Sequence, residues 1–165
     1  MKTLLIVRHA KSDWTYIDQK DIERSLNDRG LRDAPMMGQR LKGRGFMPDL
    51  ILSSSAKRAA QTASLMAQEL QYPIEKIRWE DKLYHALPDV IQSCIFGVEN
   101  EVDTLIVVCH NPGITYFVNG LLGPFTDNIP TCGMAAFRFD TLKWEEYPTV
   151  KAKLLFFDFP KNGIS

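Results

Sequence analysis

Three short runs of unbroken apolar residues, Thr3 to Val7, Leu50 to Leu52 and Thr104 to Cys109, constrain the fold of this chain more than any other feature. They are strand-sized, rich in Leu, Ile and Val, and show no polar alternation, the pattern of strands covered on both faces. Strands of that kind belong to parallel sheets, whose crossover connections carry helices. Helical periodicity falls between them: Ala59, Ala63, Met66 and Leu70 keep one face, and Val90, Ile91, Cys94, Ile95 and Val98 another, with Pro88 placed to open the second helix. Leu31 to Leu41 also reads as helix, with Pro35 either in its first turn or bending it. Met134 to Phe139 and Ala152 to Phe159 read as two further strands joined through Asp140 to Pro148. The expected class is α/β, a three-layer α/β/α sandwich around a mainly parallel sheet of about five or six strands.

No internal repeat, low-complexity stretch or linker divides the 165 residues, so one domain spanning residues 1–165 is expected. Hydrophobic residues at 45% and charged residues at 24% are those of an ordinary globular protein and exclude a disordered chain. The formal net charge is zero, which leaves no long-range field to draw nucleic acid or an anionic membrane, so neither is expected as a partner. Any anion site must therefore come from locally grouped residues. The run Leu4 to Val7 meets Arg8-His9 too soon for a signal peptide or a membrane span, and a cytoplasmic protein is expected. Cys94, Cys109 and Cys132 are odd in number and lack Cys-x-x-Cys spacing, so free thiols are expected in place of a disulfide framework or a zinc site.

In open α/β sheets ligands bind outside the carboxyl ends of the strands. Arg8 and His9 follow the first central run, Ser53 to Arg58 the second, and His110-Asn111-Pro112-Gly113 the third. Two arginines and two of the three histidines are thereby directed to one edge. Grouped cations need an anion or carboxylates to compensate them, and guanidinium forks match a tetrahedral phosphate. Arg58, near the start of a helix, adds that helix's positive end. Neither a Gly-x-x-x-x-Gly-Lys-Ser/Thr loop nor a Gly-x-Gly-x-x-Gly turn is present, and the arginine that a cysteine phosphatase loop needs after five intervening residues is replaced, counting from Cys109, by Thr115. Asp13, Asp18 and Asp21 lack the dense acidic and histidine pattern of a two-metal site, and no metal or other cofactor is expected.

The segments Arg8-His9-Ala10, Ser53 to Ala63 and Val107 to Pro112 occur in the order of the motifs of the histidine phosphatase superfamily, the phosphoglycerate-mutase-like enzymes, which this sequence resembles. Ala10 stands where that family has glycine. Ala10-Lys11-Ser12-Asp13-Trp14, Asp21-x-x-Arg24-x-Leu26 and Arg29-Gly30-x-x-Asp33-Ala34 are similar to its short SixA branch, described as phosphohistidine phosphatases. The resemblance runs from residue 1 to about 122 and leaves the last forty residues without a site. It implies His9 as nucleophile, Arg8, Arg58 and His110 as ligands of the phosphoryl group, and Asn111 as a further binding residue or one that orients His110 and its loop.

On that basis a neutral His9 nitrogen attacks phosphorus in line, and water then cleaves the resulting phosphohistidine. Nearby cations should lower the pKa of His9 and keep its lone pair free. Many larger relatives carry a glutamate acid, but the matching stretch, Asp81 to Ala86, contains none. Asp21 is the nearest alternative acid, with an ion pair to Arg24 as its competing use. A leaving imidazole needs less acid help than an alkoxide, and the connections 10–49 and 85–103 leave no room for a large cap. Both points favour a phosphorylated protein bearing phosphohistidine as substrate. A small phosphate ester such as a sugar phosphate is the alternative, and a phosphate-binding module without turnover a third reading.

Overall fold

The computed structural model describes residues 1–162. Six strands form one sheet: β1 (Lys2–Arg8), β2 (Leu50–Ser53), β3 (Arg78–Trp79), β4 (Thr104–Cys109), β5 (Met134–Phe139) and β6 (Lys153–Asp158). Their spatial order is β3-β2-β4-β1-β5-β6. The pairs β3-β2, β2-β4 and β4-β1 are parallel, whereas β1-β5 and β5-β6 are antiparallel, so the parallel part is the half expected to carry the site.

Among the described residues four α-helices cover the two faces, and the apolar periodicities say which. On one face α1 (Asp28–Gly43) and α2 (Lys57–Glu69) bury Ala34, Met37, Leu41, Ala59, Ala63 and Met66 against Leu5, Val7, Ile51 and Val108. On the other, α3 (Pro88–Phe96) and α4 (Gly113–Leu122) bury Ile91, Ile95, Ile114 and Phe117 against Leu4, Ile6, Leu105 and Val107. Successive strand residues point to opposite faces, so one unbroken apolar run feeds both cores. Asn27 caps α1 by accepting the Gly30 amide at 2.9 Å, and Pro88 opens α3 as expected.

Of the two places open to Pro35, the first turn is excluded. Helix α1 begins at Asp28, a turn before the apolar periodicity, so Pro35 lies past the first turn. The carbonyl that loses its partner there belongs to Leu31, on the exposed side of the helix, where water can satisfy it.

The parallel register sets the level of the loops. Arg8 pairs with Cys109, and Ser53 with Val108, so His9, Ser54 and His110 leave the sheet side by side. Backbone bonds hold that alignment, from the His9 amide to the Cys109 carbonyl at 3.2 Å and from the Ser54 amide to the Val108 carbonyl at 2.9 Å.

Candidate active site

His9 is buried at the carboxyl end of β1, and its ring is fixed at both nitrogens. Nδ1 lies 2.7 Å from the Ala10 carbonyl, an acceptor only, so a neutral ring carries its proton there and presents a bare lone pair at Nε2. Arg58 Nε donates to that Nε2 at 3.3 Å. Burial, followed by the charges of Arg58 and Arg8, pulls the His9 pKa down to about 4, against the opposing bond to Ala10. The expected direction holds, although desolvation outweighs the neighbouring cations as its cause. Thr62, one turn beyond Arg58, bonds the Ala10 amide at 2.9 Å and so ties the loop after His9 to α2.

His110 stands 5.1 Å from His9 between ring centroids. Its Nε2 is 2.8 Å from Ser54 Oγ, and its buried Nδ1 has no hydrogen-bond partner among the described residues. Burial and the adjacent His9 and Arg58 push its pKa down to about 2. Arg8 donates through Nη1 to the Ile129 carbonyl at 2.7 Å, with its buried Nε unpartnered among the described residues.

Two expected site residues take other places. Asn111 uses its whole amide on structure: Nδ2 donates to Asn128 Oδ1 at 3.0 Å and the Ile129 carbonyl at 3.1 Å, while Oδ1 accepts from the Thr115 amide and hydroxyl. No donor is left for a phosphoryl oxygen, so the substrate-binding use gives way to the positioning of its loop. Asp21 does join the cluster, but through Arg58, which donates to its Oδ2 from Nη2 at 3.0 Å and to its carbonyl from Nη1 at 2.7 Å. Arg24 Nε is farther, 3.8 Å from Oδ1. Partial burial would raise the Asp21 pKa, yet the Tyr84 hydroxyl and the Arg58 guanidinium hold it below the usual carboxylate range. An ionised carboxylate has no proton to give, which removes the basis for Asp21 as the acid.

Sequence reasoning overlooked Tyr84 and His85. The Tyr84 hydroxyl donates to Asp21 Oδ2 at 2.5 Å, its ring lies 5.5 Å from that of His110, and His85 Nε2 lies 3.4 Å from the same carboxylate oxygen. The available signal was the third histidine itself, in the one stretch scanned only for glutamate. Among the described residues, no group of three or more His, Cys, Asp or Glu side chains is placed to hold a metal ion. No helix among them is long and apolar enough to cross a membrane.

Residues 4–81 match the model of the histidine phosphatase superfamily (branch 1). An uncharacterised protein of Mycobacterium leprae is 30% identical over 94% of this chain and 100% of its own length. This chain belongs to the histidine phosphatase superfamily. A structure assigned as the phosphohistidine phosphatase SixA of Agrobacterium tumefaciens superposes with a TM-score of 0.82 and 27% identity, over 96% of this chain and 98% of the other. A mycobacterial glucosyl-3-phosphoglycerate phosphatase gives 0.70 with 14% identity, over 94% and 98% respectively, and shares the fold alone. The 2,3-bisphosphoglycerate-dependent phosphoglycerate mutase of Nautilia profundicola is 32% identical over 53% of this chain and 41% of its own length.

Proposed function

We propose that this protein is a phosphohydrolase that works through a phosphohistidine formed on His9 and that acts on phosphohistidine carried by another protein. The observation that carries the reading is the fixed ring of His9, a neutral imidazole whose Nε2 lone pair faces the guanidinium of Arg58. An incoming phosphoryl oxygen accepts the hydrogen bond that Arg58 Nε–H gives to His9, which frees the Nε2 lone pair for in-line attack while Arg58 keeps its proton. Arg8 and Arg58 balance the charge on the equatorial oxygens, and a His110 ring protonated at Nδ1, which lacks another partner, supplies a further donor. Water then attacks the phosphorus of the adduct and returns the electron pair to His9.

The substrate class is supported by the short connections around the site and by the full-length superposition on a protein assigned as SixA.

Rapid quenching after mixing with a phosphohistidine-bearing carrier protein tests both parts. The expected result is an acid-labile, alkali-stable phosphoryl group on His9, absent in His9→Ala, and a larger kcat/KM for the carrier than for a sugar phosphate. Near-normal turnover by His9→Ala would overturn the mechanism. A tenfold preference for the sugar phosphate, about 1.4 kcal/mol of transition-state selectivity, would transfer the protein to the small-molecule phosphatases.

A further inference from the structure

Departure of the leaving group requires a proton, and most polar groups around His9 have none to give. Asp21 is held ionised, His9 Nδ1–H is committed to the Ala10 carbonyl, and the Tyr84 hydroxyl is bound to Asp21 with its pKa raised by burial and by that carboxylate. His85 differs from all of them. Its side chain is 59% exposed, so solvent reaches it, and its Nε2 faces Asp21 Oδ2 at 3.4 Å. Its ring lies 4.0 Å from that of Tyr84 and 5.9 Å from that of His110. The same Asp21 oxygen is bound by Arg58, which touches the His9 nucleophile. His85 is therefore linked to the reacting nitrogen through one carboxylate and one guanidinium.

The backbone holds it there under constraint. His85 has φ 54°, in the left-handed region that residues with a side chain rarely occupy. The next residue, Ala86, is pressed against α4: a Cβ added at Gly113 would come within 1.9 Å of the Ala86 carbonyl oxygen. A left-handed histidine pinned between two packed residues and turned toward a carboxylate is the kind of local strain found at reacting sites.

We propose that His85 is the general acid of this site, a role that rests on the phosphohydrolase mechanism above. As His9 Nε2 forms its bond to phosphorus, the bond to the leaving nitrogen or oxygen breaks. That atom takes the electron pair together with the Nε2 proton of a His85 imidazolium. In the second half, neutral His85 removes a proton from the water that attacks the phosphohistidine, and the P–N electron pair returns to His9. Asp21 lies beside the His85 ring, and Tyr84 and Arg58 keep Asp21 ionised.

The value of an acid rises with the basicity of the leaving group, which a purely structural role would not reproduce. The test is single-turnover transfer to His9 from a series of aryl phosphates of decreasing leaving-group acidity and from an alkyl phosphate, for wild type and His85→Asn. Asparagine tolerates the left-handed conformation and preserves the turn, and His85→Gln provides a second variant without an acid. We expect near-normal transfer from the most acidic phenol and a loss on the order of 10²-fold or more from the alkyl ester. A loss that is uniform across the series, or no loss, with phosphate still trapped on His9, overturns the role of His85 alone. If wild type forms no His9 adduct, the acid and the mechanism it rests on fall together.

Discussion

Arg58 donates to His9 through Nε and to Asp21 through both terminal nitrogens, so one side chain couples the nucleophile to the acidic edge of the site. Lysine would retain the charge but could not span those partners, because its ammonium is a single point on a flexible stem. Arg58→Lys is therefore expected to lose on the order of 10²-fold or more in kcat/KM, with unchanged circular dichroism; activity within a few-fold of wild type would show that charge alone suffices. Arg8, His9, Arg58 and His110 were legible in the sequence because each directly follows an apolar strand or opens a helix, where topology alone directs a side chain to the strand ends. The pairing of Asp21 with Arg58, and the presence of Tyr84 and His85 beside His110, were not. Asp21, Tyr84 and His85 belong to irregular segments without periodicity, and their contacts span 37 and 63 positions along the chain. For Asn111 the sequence left binding and loop positioning both open, because adjacency to His110 says nothing about hydrogen bonds to Asn128 and Ile129 across another loop.

Among the elements, the central strands and α2 and α3 were foreseen at nearly their observed bounds because burial on one or both faces leaves a clear period. Strand β3 has only two residues, both exposed, and is too short to carry a pattern. Helix α4 was missed because Ile114, Thr115 and Val118 are β-branched and Gly120 weakens the helix, so packing against the sheet overrides local propensity. Its first residue has a second task. Gly113 lets the start of α4 approach the Ala86 carbonyl so closely that any side chain must displace one of them. Gly113→Ala is thus expected to destabilise the protein by about 1 to 3 kcal/mol and to shift Tyr84 and His85 away from Asp21. Urea unfolding measures the first effect, and a fall in kcat for basic leaving groups larger than for acidic ones measures the second. An unchanged unfolding midpoint would show that the loop yields without cost.

For the whole molecule, the sheet presents one edge where two neutral imidazoles are buried beside two arginines, and this couples the site to stability. An unfolded histidine titrates near 6.5, whereas His9 in the folded protein is pulled down to about 4 and His110 to about 2. A base with a depressed folded pKa takes up its proton in the unfolded chain first, so falling pH favours unfolding from about 6.5 down to those folded values. Above that window neither group biases the equilibrium. At pH 5 each imidazole should lower stability by about 2 kcal/mol relative to pH 8, because the unfolded rings are charged there and the folded ones are not. Replacing a ring by an amide of similar polarity removes its share, so His9→Asn should lose less stability than wild type between pH 8 and pH 5, and His9→Asn/His110→Asn less again. Urea unfolding at the two pH values reads the difference directly, and the comparison is made within each variant, which cancels any packing cost of the substitution. Equal losses in wild type and the double variant would mean that the rings are charged in the folded protein. In that case His9 would have no lone pair for phosphorus below neutral pH, and the acid limb of the kcat/KM profile would lie near 6.5 instead of near 4.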